Sequence, residues 1–450
     1  MAQLSLRLLE LFARYKHHFR TKTRDGSAHA LIMLKGYLLL ECARNYVKIA
    51  QKVKGHTEDG QNLQHFMSDS PWQTQGLFQQ VRREIARLQL EGGMLNFDES
   101  GDACSGKHKV GASRQYLGRE GKTDIGQVGV LSSYYKDGVW LLTDAELFLP
   151  QIWLDKFKTD EDKNKAFKRY HLPEDRVFKT KVELAKEQFD RALSEGMPFE
   201  VVGGDTFYGR STAFRRHIAE NDKFYMFCVP RDQQVWLKNP LDTDDETENL
   251  LQTVQKLAQT LTFKTIEVRN SERGVLQYEH AFIPVWTHDA DNKLNFTQEM
   301  LVVRKEKDGT LSYSLSNALS KDHLTLAQWR SYRYFVERTI QDAKSELGFD
   351  ELEALKYRAY MHTLALCALA LVFMAETKLE QRKLYQPAEK VKKELNIPQL
   401  PDLSLANVKE LMKVVFPLPQ LSKEQAVQKV INTLYKRASA TKSKTKNKSP

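Results

Sequence analysis

The sequence predicts an α/β protein with a mixed central sheet, helical regions at both ends and a β-rich insertion. Two β runs between residues 125 and 148 are joined by Lys136-Asp-Gly, and Asp-Gly is a strong hairpin signal. A helical stretch at 179–196 leads into a β run that stops at Asp205. Farther along, residues 326–347 have the apolar spacing of an amphipathic helix.

The order of these elements indicates how the sheet is connected. The chain predicts three strands, a helix, a fourth strand, a second helix and a fifth strand. The first strand is the short run Met94–Phe97, with Asp98 at its end, and the fourth ends at Asp205. This order fits an RNase H-like sheet, in which the first and fourth strands are neighbours. We therefore predict an RNase H-like core that brings the two aspartates together.

Changes in composition along the chain predict its domains. A chain of 450 residues is too long for one hydrophobic core. We predict a basic helical DNA-binding domain at 1–90, a core in two parts at 91–231 and 326–385, a β-rich insertion at 232–325, a helical region at 386–435 and a disordered basic tail at 436–450.

Positive charge is concentrated at the two ends of the chain. The net charge is +10, of which residues 1–90 carry +7 and residues 436–450 carry +6, so the body between them is slightly acidic. Basic ends around a nearly neutral body suggest a protein that holds a polyanion at its ends. Basic tails also keep proteins soluble. Charge alone therefore favours a nucleic-acid partner no more than a solubilising role for the tails.

Several classes of protein are disfavoured by the sequence. The run Leu364–Ala375 is too short to span a bilayer, and no signal peptide is visible, so we expect a cytoplasmic protein without membrane contact. No GK[ST] follows Gly203-Gly204, which argues against a nucleotide-binding loop. The four cysteines show no zinc-ligand or disulfide spacing and fit a reducing compartment: Cys42, Cys104, Cys228 and Cys367.

The predicted helix at 326–347 carries one carboxylate on a basic face. At 100° per residue, Arg333, Glu337 and Lys344 fall in one narrow stripe, with Arg330 beside it. An apolar stripe on a neighbouring face would be buried, leaving Glu337 at the edge of a pocket. Most Arg–Glu pairs at this spacing belong to ordinary surface helices, so the triplet needs support from elsewhere in the chain.

Asp98 and Asp205 provide that support. Two aspartates at strand ends and Glu337 on a helix form a set of oxygen ligands suited to Mg²⁺, with Mn²⁺ able to substitute. Two such ions can promote in-line phosphoryl displacement. An aspartate at a strand end more often only caps a turn, so the prediction depends on all three residues together.

Three stretches of the chain resemble a known family. They are Asn96-Phe-Asp98-Glu-Ser-Gly-Asp with the glycine-rich segment up to Val130, then Gly204-Asp205-Thr-Phe-Tyr-Gly, and then the run from Arg333 through Glu337 to Lys344. Together they resemble the DDE transposases of bacterial insertion sequences, and look closest to the insertion-sequence family numbered 701, related to family four. The similarity runs from about residue 20 to about residue 375.

The resemblance implies a role for each candidate residue. Asp98, Asp205 and Glu337 would bind the metal, while Arg333 and Lys344 would contact DNA phosphates. Arg330 stands where the family signature has tyrosine and would take over its phosphate contact. Members of the family act as homodimers in a synaptic complex, bind double-stranded DNA at terminal inverted repeats, cut the element free and join it to target DNA.

Two alternatives remain beside the transposase. One is an RNase H-like metal-dependent nuclease that hydrolyses DNA without strand transfer, and the other is an inactive or domesticated DNA-binding protein. For a transposase we expect a bacterial protein associated with the nucleoid.

Overall fold

A computed structural model describes most of the chain. The described residues are 2–42, 44–55, 57–104, 106, 108–242, 251–271, 274–288, 295–351, 354–384 and 403–416, with Val427 and Ile431. The predicted tail at 436–450 and most of the predicted helical region at 386–435 lie outside them.

A mixed sheet of ten strands forms the centre of the fold. In chain order the strands are β1 Gly93–Ala103, β2 Ser113–Leu117, β3 Lys122–Lys136, β4 Val139–Phe148, β5 Phe199–Gly204, β6 Phe224–Val229, β7 Gln234–Val235, β8 Gln252–Thr253, β9 Lys264–Ser271, β10 Gly274–His288, β11 Phe296–Lys305 and β12 Leu311–Ser316. The short β7 and β8 pair only with each other in a separate ribbon.

The predicted core connections are confirmed. β3 lies between β4 and β1 with antiparallel pairing on both sides, and β1, β5 and β6 follow in parallel. The order β4-β3-β1-β5-β6 places β1 beside β5. These are the strand that carries Asp98 and the strand that leads to Asp205, which were predicted to be neighbours. The hairpin between β3 and β4 turns at Asp137 and Gly138, both with positive φ, as its Asp-Gly sequence predicts. The fold is therefore an α/β fold with an RNase H-like core.

The first strand is longer than predicted. We expected β1 to stop at Phe97, but it continues to Ala103, so Asp98 lies inside a strand. The reason is β3, which is long enough to pair with β1 from Met94 to Ala103. Pairing with β5 stops earlier, at Phe97 opposite Gly204. Asp98 therefore lies immediately beyond the parallel half of the sheet.

The strands predicted within 232–325 extend the core sheet. β12 pairs with β6 in antiparallel register, with Ser314 opposite Cys228, and β11, β10 and β9 follow outward. Their apolar side chains form two clusters, one of which includes Leu326 and Trp329 of the helix that follows β12. The sheet thus continues without interruption from the core to the strands preceding the candidate catalytic helix.

Fifteen α-helices in the described part of the chain surround the sheet. They are α1 Ala2–Tyr15, α2 Ser27–Leu39, α3 Tyr46–Val53, α4 Gln61–Ser68, α5 Thr74–Arg87, α6 Gln151–Leu154, α7 Asp160–Tyr170, α8 Lys181–Ser194, α9 Thr206–Gly209, α10 Thr212–Glu220, α11 Val254–Ala258, α12 His323–Tyr332, α13 Tyr334–Gln341, α14 Tyr357–Leu384 and α15 Leu405–Val415.

Local contacts set several helix boundaries. The Asn45 side chain accepts the Lys48 N–H and starts α3, which separates α3 from α2. Helix α5 begins at Thr74, three residues after Pro71. The N-terminus of α7 is capped by Thr159. Apolar spacing alone does not show where such helices begin.

Helix α14 is the central helix of the fold. It packs against β4 and against α2, α4 and α5. Within the described residues, its segment Tyr357–Lys383 is the one helix long and apolar enough to cross a membrane, but 94% of its most apolar window is buried in the protein. Every residue of the apolar run Leu364–Ala375 is buried.

Candidate functional site

The sheet brings Asp98 and Asp205 to the same edge. Phe97 lies opposite Gly204 in the parallel pairing of β1 with β5, so the following aspartates are neighbours. Burial raises the pKa of Asp98 to about 7, and the negative charge of Asp205 is the next largest cause. The charge of Glu337 raises the same pKa, whereas the Glu99 N–H and the charge of Arg333 lower it. The other two predicted carboxylates therefore both act electrostatically on Asp98.

Asp205 also begins the helix that follows its strand. Its Oδ1 accepts the backbone N–H groups of Phe207 at 2.9 Å and Tyr208 at 3.4 Å, so the carboxylate caps α9. This was the structural alternative for an aspartate at a strand end. The same cap holds the Asp205 carboxylate at the edge of the sheet, beside Asp98.

The predicted helix at 326–347 is not continuous. Helix α12 ends at Tyr332, α13 begins at Tyr334, and a π-helical turn follows from Asp342 to Glu346. In that turn the Leu347 N–H donates to the Asp342 carbonyl, five residues back, at 3.1 Å. A wider turn departs from the 100° periodicity on which the predicted stripe rests. Lys344 is 9% exposed and the Glu337 side chain is 49% exposed, so the two residues lie in different surroundings.

Glu337 lies at the mouth of the site. Its carboxylate pairs with the Arg333 guanidinium one helical turn earlier, and its side chain is 49% exposed. Arg333 also lowers the pKa of Asp98. The Arg333 charge is therefore shared between two of the three carboxylates.

The side chains present suit a hard divalent cation. The charges of Asp205 and Glu337 both oppose that of Asp98, so the three carboxylates form an oxygen-rich donor set. In the part of the chain that the structure describes, no group of three or more His, Cys, Asp or Glu side chains could hold a metal ion as it stands. The Glu337 carboxylate is paired with the Arg333 guanidinium in this arrangement.

Lys344 is engaged elsewhere on β1. Its Nζ lies 2.6 Å from Oδ1 of Asp102 and 3.4 Å from the carbonyl of Gly101, and the residue is 9% exposed. Asp102 belongs to β1. It lies four residues after Asp98, or roughly 13 Å along the strand. The Lys344 ion pair thus joins the π-helical turn after α13 to β1, the strand that carries Asp98.

Arg330 lies beneath the site. It is 7% exposed and donates from Nη2 to the Ser312 hydroxyl at 3.1 Å. That hydroxyl in turn donates to Glu306 at 2.7 Å. The structure therefore places Arg330 in a buried hydrogen-bonded chain that leaves little of its surface for a ligand.

Two contacts near the site were missed by the sequence analysis. Glu99 points away from Asp98, as alternation along a strand predicts, and pairs with Lys181 of α8 at 2.5 Å. Asp342, on the buried side of α13, accepts a hydrogen bond from Trp140 at 3.0 Å. A signal existed for Asp342, since it lies seven residues after buried Phe335 and thus on the apolar face.

Comparison with known proteins agrees with this geometry. The family described as DDE superfamily endonuclease matches residues 14–249, more than half of the chain, and the transposase DDE domain matches residues 163–373. A curated relative from Microchaete diplosiphon, the probable transposase for insertion sequence element IS701, is 24% identical over 315 residues. That alignment covers 67% of this chain and 70% of the relative. The predicted resemblance is confirmed, and the chain belongs to the DDE endonuclease superfamily as a transposase.

Proposed function

We propose that this transposase binds the terminal inverted repeats of an insertion sequence, cleaves the element ends and joins them to target DNA by two-metal phosphoryl transfer. The observation that carries the proposal is that Asp98 lies beside Asp205 at one sheet edge and senses the charges of both Asp205 and Glu337, which come from separate elements. The cation we propose is Mg²⁺, with Mn²⁺ able to substitute.

The three carboxylates would hold the metal ions. When bound, divalent cations supply activation of the attacking oxygen and stabilisation of the leaving oxygen in such a displacement. Asp98 must lose its proton and Glu337 must separate from Arg333 before all three side chains can act as ligands. Positive charge brought to the site would favour both changes, because it lowers the pKa of Asp98 and competes with Arg333.

Arg333 is the residue we assign to a DNA phosphate. Its guanidinium lies next to two of the carboxylates and is 22% exposed, so a phosphate at the site can reach it. We also assign phosphate contacts to Lys344 and Arg330. In the described structure each has a protein partner, so Lys344 would have to exchange Asp102 for DNA. Arg330 would act mainly through its positive charge beneath Arg333.

DNA binding would involve the basic ends of the chain. The helices within residues 1–90 carry a net charge of +7 and would form the DNA-binding domain. The remaining predicted division, with the core at 91–231 and 326–385 and an insertion at 232–325, is part of the same proposal. A homodimer would hold two element ends together, and the basic tail at 436–450 would add non-specific phosphate contacts.

The test is cleavage and strand transfer on a labelled duplex that carries the element's own end. Wild type is compared with Glu337→Gln, in Mg²⁺ and in EDTA. We expect metal-dependent cutting and joining by wild type, and their loss in Glu337→Gln with DNA binding retained. Glu346→Gln is the matched control, because this glutamate lies on the π-helical turn that follows α13 and outside the triad.

Other outcomes favour the alternatives. Cutting without joining indicates a metal-dependent nuclease. Tight, specific binding to the element end without any cutting by wild type indicates an inactive DNA-binding protein. Full activity in Glu337→Gln would remove Glu337 from the proposed metal site.

A further inference from the structure

A small cavity lies where the N-terminal helices meet the core. Its volume is about 140 Å³, and it is bounded by the start of α5, the segment following α7 and the start of α14. Its lining includes Trp72, Thr74, His171, Arg358 and His362. None of these residues belongs to the candidate catalytic site, which is built on β1, β5 and α13.

Two helices begin at this cavity. Helix α5 starts at Thr74 and α14 starts at Tyr357, and neither has an acidic residue in its first turn. The N-cap residue of α5, Gln73, makes no side-chain capping bond. The first N–H groups of a helix have no partners within the helix and carry a partial positive charge. Two such ends at one cavity favour an anion.

Side-chain donors add to this positive environment. Arg358 donates from Nη1 to the carbonyl of Asp69 at 3.0 Å and, within the described residues, forms no ion pair with a carboxylate. Trp72 is 3% exposed, and its buried Nε1 has no hydrogen-bond partner in the described structure. A buried N–H without a partner is costly, so a ligand that accepts hydrogen bonds would be stabilised here.

The nearby protein acceptors are already engaged. The ring nitrogens of His362 lie 2.8 Å from the Met67 carbonyl and 3.0 Å from the Trp72 carbonyl. The nearest carboxylate, Asp69, pairs with Lys356. The cavity therefore offers donors and a cation, while its neighbouring acceptors have other partners.

We propose that this cavity binds one phosphate group, supplied either by the DNA backbone or by free inorganic phosphate. The DNA source rests on the proposed function, whereas the inorganic source does not. A phosphate held between α5 and α14 would tie bound DNA to the junction of the basic N-terminal helices with the core. Because α14 also packs against β4, the same phosphate would orient DNA relative to the catalytic sheet.

Two substitutions test the site by different routes. Arg358→Gln removes the cation. Thr74→Pro removes a backbone N–H at the first position of α5, where proline is compatible with a helix. The extended conformation of Gln73, with ψ 124°, suits a residue before proline. Arg169→Gln is the control, since it removes an arginine from nearby α7 that does not line the cavity.

Both measurements are made on the full chain in EDTA, so that cleavage does not enter. Binding of a duplex carrying the element's terminal inverted repeat is followed over a salt series, and binding of inorganic phosphate is followed by calorimetry. For a DNA phosphate, we expect Arg358→Gln to lower the slope of log K against log salt by about 0.9, the value for one contact. Thr74→Pro should weaken binding, and Arg169→Gln should retain the wild-type slope.

Each outcome decides the proposal. Loss of inorganic phosphate binding with an unchanged DNA slope assigns the site to free phosphate. If neither probe responds to Arg358→Gln or Thr74→Pro in folded protein, the cavity is not a phosphate site. Thermal melting shows whether each variant is folded. If Arg358→Gln does not fold, the same binding measurements on Thr74→Pro decide whether the cavity is a phosphate site. Loss of cleavage in Glu337→Gln is measured separately, so failure of the cavity proposal leaves the proposed function standing.

Discussion

The indole Nε1 of Trp140 donates a hydrogen bond to Oδ2 of Asp342 at 3.0 Å, joining the β3–β4 hairpin to the π-helical turn after α13. Asp342 is 1% exposed, and Arg338 pairs with its other oxygen at 3.1 Å. The indole ring lies 5.6 Å from the ring of Phe335. Asp342 lies between Glu337 and Lys344 in sequence, so its hydrogen bond ties this part of the chain to the hairpin.

Trp140→Phe should destabilise the protein by about 1–3 kcal/mol, because it leaves a buried carboxylate with one partner fewer while keeping an aromatic ring beside Phe335. Urea unfolding measures the change. A double-mutant cycle with Asp342→Ala, which removes the acceptor, isolates the bond itself. Additive effects of the two substitutions would show that the hydrogen bond contributes nothing of its own.

Stability should depend on pH through Asp98. Its pKa is about 7 in the folded protein and 3.8 ordinarily, so the folded state binds more protons between about pH 4 and pH 7. Without metal, stability should therefore fall as pH rises through this window. Asp98→Asn stays neutral and should be more stable than wild type above pH 7, by up to about 4 kcal/mol.

Thermal melting in EDTA between pH 4 and pH 8 measures this difference. The advantage of Asp98→Asn should shrink towards pH 4, and Mg²⁺ should stabilise wild type more than the variant. A constant difference across the range would mean that Asp98 does not change its charge there.

Arg333→Gln should strengthen metal binding while weakening cleavage. The substitution releases Glu337 from its ion pair and removes a positive charge that acts on Asp98. Calorimetric titration with Mn²⁺ measures the first effect, and the cleavage assay measures the second. Arg338→Gln is the control, because it removes the same charge one residue from Glu337 and leaves the Arg333 pair intact. Weaker metal binding in Arg333→Gln would contradict the expectation.

Arg82→Met should cost roughly 3–5 kcal/mol of stability, because it takes the Arg82 partner from Glu195 and one of two arginine partners from buried Asp144, which keeps Arg191. Arg82 on α5 is 1% exposed and contacts the core through Asp144 at 2.9 Å and through both oxygens of Glu195 at 2.8 Å. Its neighbour Arg83 is exposed, so Arg83→Met should change stability by less than about 0.5 kcal/mol. Denaturant midpoints compare the two, and equal losses would show that the buried network is not important.

The fold class and the family were accessible from the sequence. Alternating apolar residues, the Asp137-Gly138 turn and the order of elements predicted the core sheet, because strand periodicity and turn chemistry are local properties. The neighbouring positions of β1 and β5 followed from the same elements. The stretches around Asp98, Asp205 and Glu337 predicted the family, and the comparisons confirmed it.

What the sequence by itself determined was therefore the main elements of the core, their connections and the family of the chain. Only the tertiary structure decided where those side chains point and what they touch. β1 runs past Asp98 because β3 supplies backbone partners, and the pairing of Lys344 with Asp102 joins residues 242 apart in sequence. Periodicity describes one helix or strand at a time. Contacts between distant elements depend on how those elements pack, so the π-helical turn at Asp342 and the cavity at Thr74 became visible only in the folded chain.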